Sequence, residues 1–370
     1  MKILHLADVH LDRPFVGLPQ PAAARQRQNL FDAFRRAVAV ANENEVDLLT
    51  IGGDLWEEEH VRADTRASVA HELAEFGAPV LIVCGNHDPL LPGGSYHRTH
   101  WPSNVRIVPL RSLHEFRFDD VSVWSVSWGG GDLSARVLEH FTAPDDGRTH
   151  LALLHGTAPT APFAEEAGGY FPFDPQKLRE SGISLCLAGH IHAASHARDV
   201  VYPGSPEPLG WGERGRHCVA LIEIGAGVRV ELIDFNTTRF ETIEVDCSGC
   251  SSSAGVRDQI ERACVDPEDS LFLRVKLVGE VGPDCDIDVA AVGGSLRTRC
   301  AALQIEDRTE PTLDVRSRTE RKSLDGLFTR KLLEQIEEAH GDERTRRLAQ
   351  LALEAGLRAV EGREPILRVG

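Results

Sequence analysis

The sequence predicts an α/β fold for roughly the first two thirds of the chain, a small α+β segment after it, and helices near the C-terminus. Short apolar runs alternate with helical stretches in the first part, which is typical of α/β proteins. Most of these runs end in a cluster of polar residues, and ligand sites collect at the carboxyl ends of strands in such sheets. Near the C-terminus the apolar residues recur at helical spacing.

The first part contains short apolar runs with the length and composition of strands. These runs are Ile3–Ala7, Leu48–Ile51, Val80–Cys84, Val105–Val108, Val121–Ser125, Leu151–Leu154, Ile183–Leu187 and Cys218–Ile224. Two stretches between the early strands, Ala22–Asn44 and Arg66–Phe76, instead space their apolar residues along one face of a helix. The alternation of these two patterns indicates α/β structure.

The pattern changes after the last of these strands. The Ser/Gly-rich stretch Ser248–Gly255 has the composition of a linker. A helix, Val256–Cys264, and a strand, Ser270–Val278, follow it, and mixed patterns continue to Val315. Two helical segments, split near Gly341, come last. We therefore expect three parts of the chain, at residues 1–245, 256–315 and 323–362.

Composition limits the classes of function. The chain of 370 residues has a formal net charge of −17, which argues against broad coating of nucleic acid by a basic surface. It has no apolar run long enough for a membrane helix, and its first residues, MKILHLADVHL, have the pattern of a strand rather than a signal peptide. Most of the eight cysteines lie in apolar runs, as Cys84 and Cys186 do, which predicts buried thiols in a cytoplasmic protein. The CxxC pair of Cys247 and Cys250 is interpreted as part of a loop.

Five polar clusters follow apolar runs, in the order DxH, GD, GNHD, H and GHxH. They are Asp8 to His10, Gly52 to Asp54, Gly85 to Asp88, His155, and Gly189 to His192. Each cluster alone has an ordinary explanation as a turn or as a hydrogen-bonded strand end. Together they supply the imidazole and oxygen ligands that two neighbouring divalent cations need, including a carboxylate able to bridge the ions. The clusters therefore predict a two-metal hydrolytic site.

The five clusters resemble those of the calcineurin-like metallophosphoesterase superfamily. The stretches ADVHLDRPFVGL and YPGSPEPLGWGERGRH are further similar to the SbcD-type DNA-repair exonucleases and their YhaO-like bacterial relatives. The resemblance rests on specific motifs over residues 1–245 and on layout alone after them. It implies a two-sheet sandwich flanked by helices, with a small α+β capping domain and C-terminal helices. It also implies one metal ion on Asp8, His10 and His192, a second on Asn86, His155 and His190, and Asp54 as the bridge between them.

The same resemblance assigns His87 to the scissile phosphate, where it would help to protonate the leaving oxygen. The ordinary imidazole pKa of about 6.5 suits that task near neutral pH. Arg13, three residues after His10, is the basic side chain best placed to bind the phosphate. Arg98, Arg214 and Arg216 have the default interpretation of surface charges. The implied cofactor is two divalent ions, manganese by family expectation, while the ligands also allow magnesium, iron or zinc.

Two departures from related patterns bear on the substrate. Repair-nuclease relatives commonly carry a His three residues after the bridging Asp, where this chain has Glu57. A carboxylate beside the phosphate path would repel the substrate, so we expect Glu57 either to point away or to change the balance between exonuclease and endonuclease activity. His60 is the nearby histidine that could compensate. Ser/Thr phosphatases of the superfamily have a GDxxDRG pattern, and GGDLWEEEH lacks its Arg, which lowers that alternative.

The resemblance implies a DNA exonuclease or endonuclease of DNA repair that works with an SbcC-like ABC-type ATPase. In such nucleases the capping domain helps to position duplex DNA, and the C-terminal helices dock on the coiled coil of the ATPase. The apolar face of SLDGLFTRKLLEQIEEA is interpreted as a surface for such a partner or for a homodimer, with packing on the chain itself as the alternative. Two other functions stay open: a small-molecule or cyclic-nucleotide phosphodiesterase, and a non-catalytic scaffold for an ATPase subunit.

Overall fold

The computed structural model describes residues 1–128, 135–165, 169–213, 216–263, 270–282, 285–294, 296–339 and 342–362. Arg214, Cys264 and Gly341, named above, lie outside these ranges. The described strands are β1 Lys2–Leu6, β2 Leu48–Ile51, β3 Val80–Ile82, β4 Val105–Ile107, β5 His114–Phe118, β6 Val121–Ser125, β7 Thr149–His155, β8 Leu185–Gly189, β9 Ser195–Ala197, β10 Val200–Tyr202, β11 Cys218–Ile224, β12 Val228–Asp234, β13 Arg239–Asp246, β14 Leu271–Val278, β15 Glu280–Val281, β16 Ala302–Asp307 and β17 Glu310–Pro311. The described α-helices are α1 Gln20–Glu43, α2 Ala63–Ala74, α3 Ser95–Arg98, α4 Pro175–Glu180, α5 Ser253–Ala263, α6 Val289–Val292, α7 Val315–Thr319, α8 Leu324–Glu338 and α9 Glu343–Val360.

Two six-stranded sheets make up most of the first 234 residues, with strand orders β12-β11-β1-β2-β3-β4 and β5-β6-β7-β8-β10-β9. In the first sheet β1 to β4 are parallel neighbours, and the β11–β12 hairpin joins β1 in antiparallel fashion. In the second sheet β6, β7, β8 and β10 are parallel neighbours, with antiparallel strands at both edges. Parallel neighbours end at the same edge of a sheet, so the segments that follow them start close together. The predicted two-sheet α/β fold is confirmed.

The two sheets pack face to face through one apolar cluster. Leu81 of the first sheet and Val123 of the second are both fully buried in it. The opposite face of the first sheet is covered by α1, whose Leu30 and Phe34 are buried against it. The opposite face of the second sheet carries another cluster, which includes Leu178 of α4. The layers therefore run helix, sheet, sheet, helix.

Helix α1 illustrates why the sequence forms these layers. Pro19 precedes it and Pro21 lies in its first turn, where a missing backbone N–H costs nothing. Its buried residues recur three or four positions apart, which places them on one face over its whole length. They are Ala22, Ala23, Gln26, Leu30, Ala33, Phe34, Ala37, Val38 and Ala41.

A buried histidine links the two sheets. His5 lies in β1, and its Nδ1 is 3.0 Å from the Thr50 hydroxyl on the neighbouring strand β2. Its Nε2 is 3.2 Å from the carbonyl oxygen of Ala188 on β8, in the other sheet. Burial lowers the pKa of His5 to about 4, because the charged imidazolium would lose its hydration. His5 is therefore a neutral polar tie between the layers.

The chain divides into two compact units. The first comprises Met1–Glu241, Glu268–Leu273 and Cys300–Ala302, and the second comprises Thr242–Pro267, Arg274–Arg299 and Leu303–Gly370. Smaller sheets, of order β13-β14-β16 and β15-β17, occur after residue 238. Within the second unit α8 packs on α9, where a Cβ at Gly356 would lie 2.2 Å from the Phe328 ring. The bare backbone at Gly356 thus allows the two helices to approach closely.

Some elements differ from the sequence-based expectation. The strands β5, β9 and β10 are short and were not anticipated, because three to five residues carry too little periodicity. Helix α5 begins at Ser253, inside the stretch Ser248–Gly255 that was predicted to be a linker. That prediction is wrong at its end, since serine is a favourable residue at helix starts as well as in linkers. Among the described helices, none is long and apolar enough to span a bilayer.

Candidate metal centre

The predicted ligands all follow the carboxyl ends of parallel strands. In the first sheet, Asp8 and His10 come after β1, Asp54 comes after β2, and Asn86 comes after β3. In the second sheet, His155 is the last residue of β7, and His190 and His192 come directly after β8. Since the two sheets pack face to face, these segments converge although their residues are up to 184 positions apart in the sequence.

Four of the residues at this edge have a strained backbone conformation. Asp8, His10, Asp54 and His190 all have positive φ angles, of 54°, 51°, 50° and 97°. Non-glycine residues rarely adopt this left-handed region, and such strain clusters at functional sites. Backbone hydrogen bonds hold two of the segments together, from Asp8 N to the Gly53 oxygen at 3.0 Å and from His10 N to the Asp54 oxygen at 2.9 Å. The turns point several short polar side chains into one pocket.

The Asp54 carboxylate lies at the centre of this pocket. Its Oδ2 atom is 3.6 Å from Nε2 of His10 and 3.3 Å from Nε2 of His155. The Asn86 side-chain oxygen is 3.0 Å from the same nitrogen of His155 and 3.2 Å from Nδ1 of His190. The Asp54 carboxylate is therefore close to two groups of imidazoles, that of His10 and that of His155.

Three overlapping triads have ligand atoms close enough to hold a metal ion. They are Asp8, His10 and His192; His10, Asp54 and His87; and Asp54, His155 and His190. The ligand atoms within each triad all lie within 4.8 Å of one another. Six of the seven predicted residues, together with His87, are thus in these triads, and Asn86 joins them through its contacts with His155 and His190.

Bare glycine backbone makes room for the central carboxylate. A Cβ at Gly85 would lie 2.2 Å from Oδ1 of Asp54 and 2.8 Å from its backbone nitrogen. A Cβ at Gly53, whose φ is +92°, would lie 2.3 Å from Nδ1 of His155. The glycines of the GD and GNHD motifs are thus required by close approach and not only by turn geometry.

The carboxylates and imidazoles of the pocket shift one another's pKa values. Burial raises the pKa of Asp54, but the neighbouring His155, together with His10 and His87, lowers it well below the ordinary carboxylate value. Burial lowers the pKa of His155, and the attraction of Asp54 and Asp8 outweighs this and raises it to about 9. Burial also raises the pKa of Asp8. The buried carboxylates of this pocket thus depend on nearby positive charge, which protonated imidazoles supply here and which metal cations would also supply.

One orphaned atom tests whether these residues fit metal ions. His10 is fully buried, and its Nδ1 lies 2.9 Å from a Glu57 carboxylate oxygen, which can only accept. The Nε2 atom of His10 is also buried, and it has no hydrogen-bond partner among the described residues. A neutral imidazole that donates through Nδ1 presents a lone pair at Nε2, which is the usual arrangement of a metal-ligating histidine. The donor set of imidazoles, carboxylates and an amide oxygen fits divalent cations.

Glu57 points into the site, so the alternative that it points away is wrong. Its Oε1 accepts hydrogen bonds from Nδ1 of His10 at 2.9 Å and from the Arg13 guanidinium at 3.0 Å. Its Oε2 accepts one from Nδ1 of His87 at 2.8 Å. Burial raises the pKa of Glu57, but the two histidines lower it far more, so it stays ionised. The physical reason is that three donors neutralise the charge that would otherwise repel a phosphate.

His87 differs from the buried ligands in its exposure. Its side chain is 41% exposed, and its backbone N–H donates to Asp54 Oδ1 at 2.8 Å. The hydrogen bond to Glu57 raises the pKa of His87 above its ordinary value. With Nδ1 engaged, Nε2 is the nitrogen that remains for a substrate.

Two supporting carboxylates were missed in the sequence. Asp88, the last residue of GNHD, is fully buried and accepts from the backbone N–H groups of Asp54, Leu55 and Gly85 and from the Tyr96 hydroxyl, at 2.6 to 3.1 Å. Its burial and the nearby charge of Asp54 raise its pKa to about 7. The position of Asp88 inside the GNHD motif was the feature of the sequence that could have identified it.

The second missed carboxylate belongs to the stretch between β10 and β11. Glu213 lies 2.6 Å from Nδ1 of His192 through Oε1, while its Oε2 accepts from the Leu209 N–H and the Ser205 hydroxyl. Carboxylates behind ligating histidines fix the ring orientation and raise ligand basicity. No spacing rule links Glu213 to His192, so only the resemblance of YPGSPEPLGWGERGRH marked this region.

The basic residues named from the sequence have different surroundings. Arg13 contacts Glu57 beside the pocket and is 31% exposed, whereas Arg98 lies 3.7 Å from Glu58. Arg216 pairs with Asp234 on the surface. His60 and His87 both line a cleft that opens beside the metal centre. Of these three described arginines, Arg13 is therefore the one that borders the metal centre.

A model of the calcineurin-like phosphoesterase family matches residues 1–194. The chain belongs to the calcineurin-like phosphoesterase family. The expectation from the five clusters is thereby confirmed at the level of the family, whose members use a dimetal centre.

Among curated proteins, the chain is similar to the uncharacterized metallophosphoesterase YhaO of Bacillus subtilis (strain 168). The two are 27% identical over 278 residues, which cover 70% of this chain and 67% of that protein. It is also similar to the DNA double-strand break repair protein Mre11 of Methanopyrus kandleri, with 27% identity over 365 residues that cover 85% of this chain and 74% of that protein. The crystal structure of TT1561 from Thermus thermophilus covers 63% of this chain and 98% of its own, at a TM-score of 0.41 and 15% identity.

Proposed function

We propose that this calcineurin-like phosphoesterase hydrolyses phosphodiester bonds of DNA, as an exonuclease or endonuclease of DNA repair. The observation that carries the proposal is the position of Asp54, whose carboxylate lies 3.6 Å from His10 Nε2 and 3.3 Å from His155 Nε2. One metal ion is proposed next to His10 and a second next to His155, with Asp54 as the bridge between them. The first would be held by Asp8, His10 and His192, the second by Asn86, His155 and His190.

The proposed cofactor is a pair of divalent ions, with manganese as the family expectation and magnesium, iron or zinc as alternatives. The chemistry that such a pair supplies is water activation near neutral pH and neutralisation of phosphate charge. The chain's own contribution is to fix the ligands, through Glu57 on His10 and Glu213 on His192. His87 is proposed as the proton donor to the leaving oxygen, and Arg13 as a phosphate-binding residue at the rim.

DNA is proposed as the substrate because two of the similar curated proteins are named DNA double-strand break repair protein Mre11. The net charge of −17 argues for a local rather than a general attraction to the phosphate backbone. Bound cations and Arg13 would supply that local positive field. The three-part division at 1–245, 256–315 and 323–362, with the middle part as a DNA-positioning cap, belongs to the same proposal.

We also propose an SbcC-like ABC-type ATPase as partner, with a homodimer as the second expected assembly. The support is the exposure of apolar side chains on α8 and α9, where Leu324 is 84% exposed and Leu348 and Val360 are each 58% exposed. Helices that keep such residues in solvent have a surface suited to another helix. A cytoplasmic location fits buried, free thiols such as those of Cys84 and Cys186.

The test is digestion of defined DNA by the purified chain with manganese chloride. Linear duplex, single-stranded and nicked substrates should be cleaved in a manganese-dependent way, and chelation should abolish cleavage. Hydrolysis of bis-p-nitrophenyl phosphate without cleavage of any DNA would replace the proposal with the small-molecule or cyclic-nucleotide phosphodiesterase. Absence of both activities in protein that binds manganese would favour the non-catalytic scaffold.

A further inference from the structure

A cleft opens beside His87, at the rim of the metal centre. It has a volume of about 410 Å³, within the range of small-molecule sites. Its polar lining consists of Arg13, Glu57, His60 and His87. Its apolar lining includes Phe15, Val16, Leu18, Leu209, Trp211 and Phe240. A ligand that fits this lining has a polar edge for His87 and an apolar face for the aromatic side chains.

The loop on one side of the cleft holds an apolar side chain in solvent at a conformational cost. Val16 is 90% exposed, although single valines gain by burial. Its neighbour Phe15 is 7% exposed and has a φ of 51°, in the left-handed region that a bulky residue rarely adopts. A backbone hydrogen bond from Leu18 N to the Phe15 oxygen, at 2.9 Å, closes this turn. The strained turn places Val16 in the lining of the cleft, where a bound ligand would cover its side chain.

The cleft also has a rigid aromatic wall. The Trp211 ring meets the Phe240 ring edge-on, with centroids 5.0 Å apart. Phe240 is 3% exposed and stacks on Phe272, so the wall has little freedom to move. Aromatic rings held in this way are platforms for planar groups, and nucleobases stack on them without strong sequence preference.

The chemistry of the reaction decides which part of a substrate reaches the cleft. In phosphodiester hydrolysis the oxygen of water joins phosphorus, the bond from phosphorus to the leaving oxygen breaks, and the leaving oxygen takes a proton. The products are a phosphate monoester and the free hydroxyl of the leaving nucleoside. Because His87 is the proposed donor of that proton, the leaving nucleoside lies on the His87 side of the phosphate. The cleft begins at His87.

We propose that this cleft binds the leaving nucleoside, with its sugar near Arg13 and His87 and its base between Val16 and Trp211. This inference rests on the proposed phosphodiesterase function and deepens it. It makes Val16 and Trp211 specificity-determining residues that favour a base-bearing leaving group over an abasic one. It also makes the enzyme tolerant of sequence, because stacking uses the face of the base and not its hydrogen-bonding edge.

The experiment compares matched dinucleotides with manganese chloride. In one substrate both residues carry adenine, and in two others a tetrahydrofuran abasic residue replaces the 5′ or the 3′ nucleoside, so either cleavage polarity is covered. The wild-type chain should prefer a base on the leaving side by roughly 5- to 100-fold in kcat/KM, as expected for one stacked base. Trp211→Ala and Val16→Ser should lower this preference toward parity by slowing only the base-bearing substrate.

The matched control is Leu91→Ser, which changes another exposed apolar side chain that does not line the cleft. It should keep the wild-type preference. Because Val16 is exposed, Val16→Ser leaves the core unchanged and decides the question if Trp211→Ala fails to fold. Equal preference in wild type and Val16→Ser, with active enzyme, overturns the assignment of the cleft.

A binding measurement separates this inference from the proposed function. Saturation-transfer NMR with deoxyadenosine should show contact of the adenine protons with metal-free wild-type and Leu91→Ser protein, and a strong loss in Val16→Ser. If no dinucleotide or DNA is cleaved, the proposed function fails, and this measurement still decides on the cleft. If active enzyme shows neither saturation transfer nor a preference for a base, the assignment of the cleft as a nucleoside site is wrong, and the proposed phosphodiesterase function stands.

Discussion

The Glu57 carboxylate accepts a hydrogen bond from Nδ1 of His87 at 2.8 Å and another from Nδ1 of His10 at 2.9 Å. One side chain thereby orients both a proposed metal ligand and the proposed proton donor. Each carboxylate oxygen accepts from one of the two histidines, Oε2 from His87 and Oε1 from His10. Replacing it should therefore affect metal binding and turnover together.

We expect Glu57→Ala to lower manganese affinity and phosphodiesterase activity by about 10- to 100-fold each, as removal of such supporting groups generally does. Calorimetric titration with manganese and the rate with bis-p-nitrophenyl phosphate measure the two effects. Glu59→Gln is the control, because Glu59 is exposed and only two positions away. Unchanged metal affinity in Glu57→Ala would show that His10 needs no carboxylate to hold its tautomer.

Substitutions at His87 and Asp54 should distinguish a loss of catalysis from a loss of metal binding. His87→Ala removes the proposed proton donor, so activity on DNA should fall by about 10²- to 10⁴-fold while manganese still binds. Asp54→Ala removes the carboxylate close to both imidazole groups, so both binding and activity should be lost. Calorimetry and DNA digestion on the same preparations provide the comparison. Full DNA cleavage by His87→Ala would remove this residue from the mechanism.

Gly85 should not tolerate even a methyl group. The Cβ of Gly85→Ala would lie 2.2 Å from Oδ1 of Asp54, so the carboxylate has to move. A displacement of about 1 Å in a reactive group costs on the order of 100-fold in rate. Gly77→Ala is the matched control, since a Cβ there meets no atom within 4 Å. Equal activities of the two variants would mean that Asp54 has freedom to shift.

The Tyr96 hydroxyl should contribute measurably to stability. It donates to the buried Asp88 at 2.6 Å, and Asp88 in turn holds the backbone of Asp54 and Leu55. Tyr96→Phe leaves one acceptor of Asp88 without its donor, which costs about 1–3 kcal/mol. The urea midpoint of unfolding measures the loss. No change in midpoint would indicate that Asp88 finds another donor.

His5 should make stability depend on pH. Burial lowers its pKa from an ordinary 6.5 to about 4, so the folded state favours the neutral ring. Its contribution is therefore complete above pH 6.5 and is lost as the pH falls toward 4, by on the order of 3 kcal/mol. Urea unfolding of chelated protein at pH 7.5 and pH 4.5 measures this loss. His5→Gln should reduce the difference, whereas the exposed His71→Gln should keep it.

Local sequence patterns predicted the fold, and they singled out the polar residues that the structure brings together in one pocket. The strands Leu48–Ile51, Val121–Ser125 and Cys218–Ile224 have the predicted bounds, because each is a buried apolar run between polar segments. The polar clusters converge because the strands before them, β1 to β3 and β7 to β8, are parallel neighbours in two sheets that pack face to face. The small strands Ser195–Ala197 and Val200–Tyr202 had no such signal, since their pairing with each other and with β8 defines them.

The supporting residues could not be derived from spacing. Glu57 looked like an obstacle to phosphate because its partners, His10 and His87, lie 47 and 30 positions away and their contacts exist only in the fold. Glu213 reaches His192 in the same non-local way. A sequence identifies the residue types that bind metal, but the hydrogen bonds that orient them depend on tertiary structure.

The ligands divide between two sheets, with those up to Asn86 on the first and those from His155 onward on the second. A chain emerging from the ribosome therefore lacks half of the centre until residue 192 has been made and the sheets have docked. Neither half contains both triads that share Asp54. For a nuclease of the proposed kind, the cutting centre would thus assemble only after both sheets have formed and packed together.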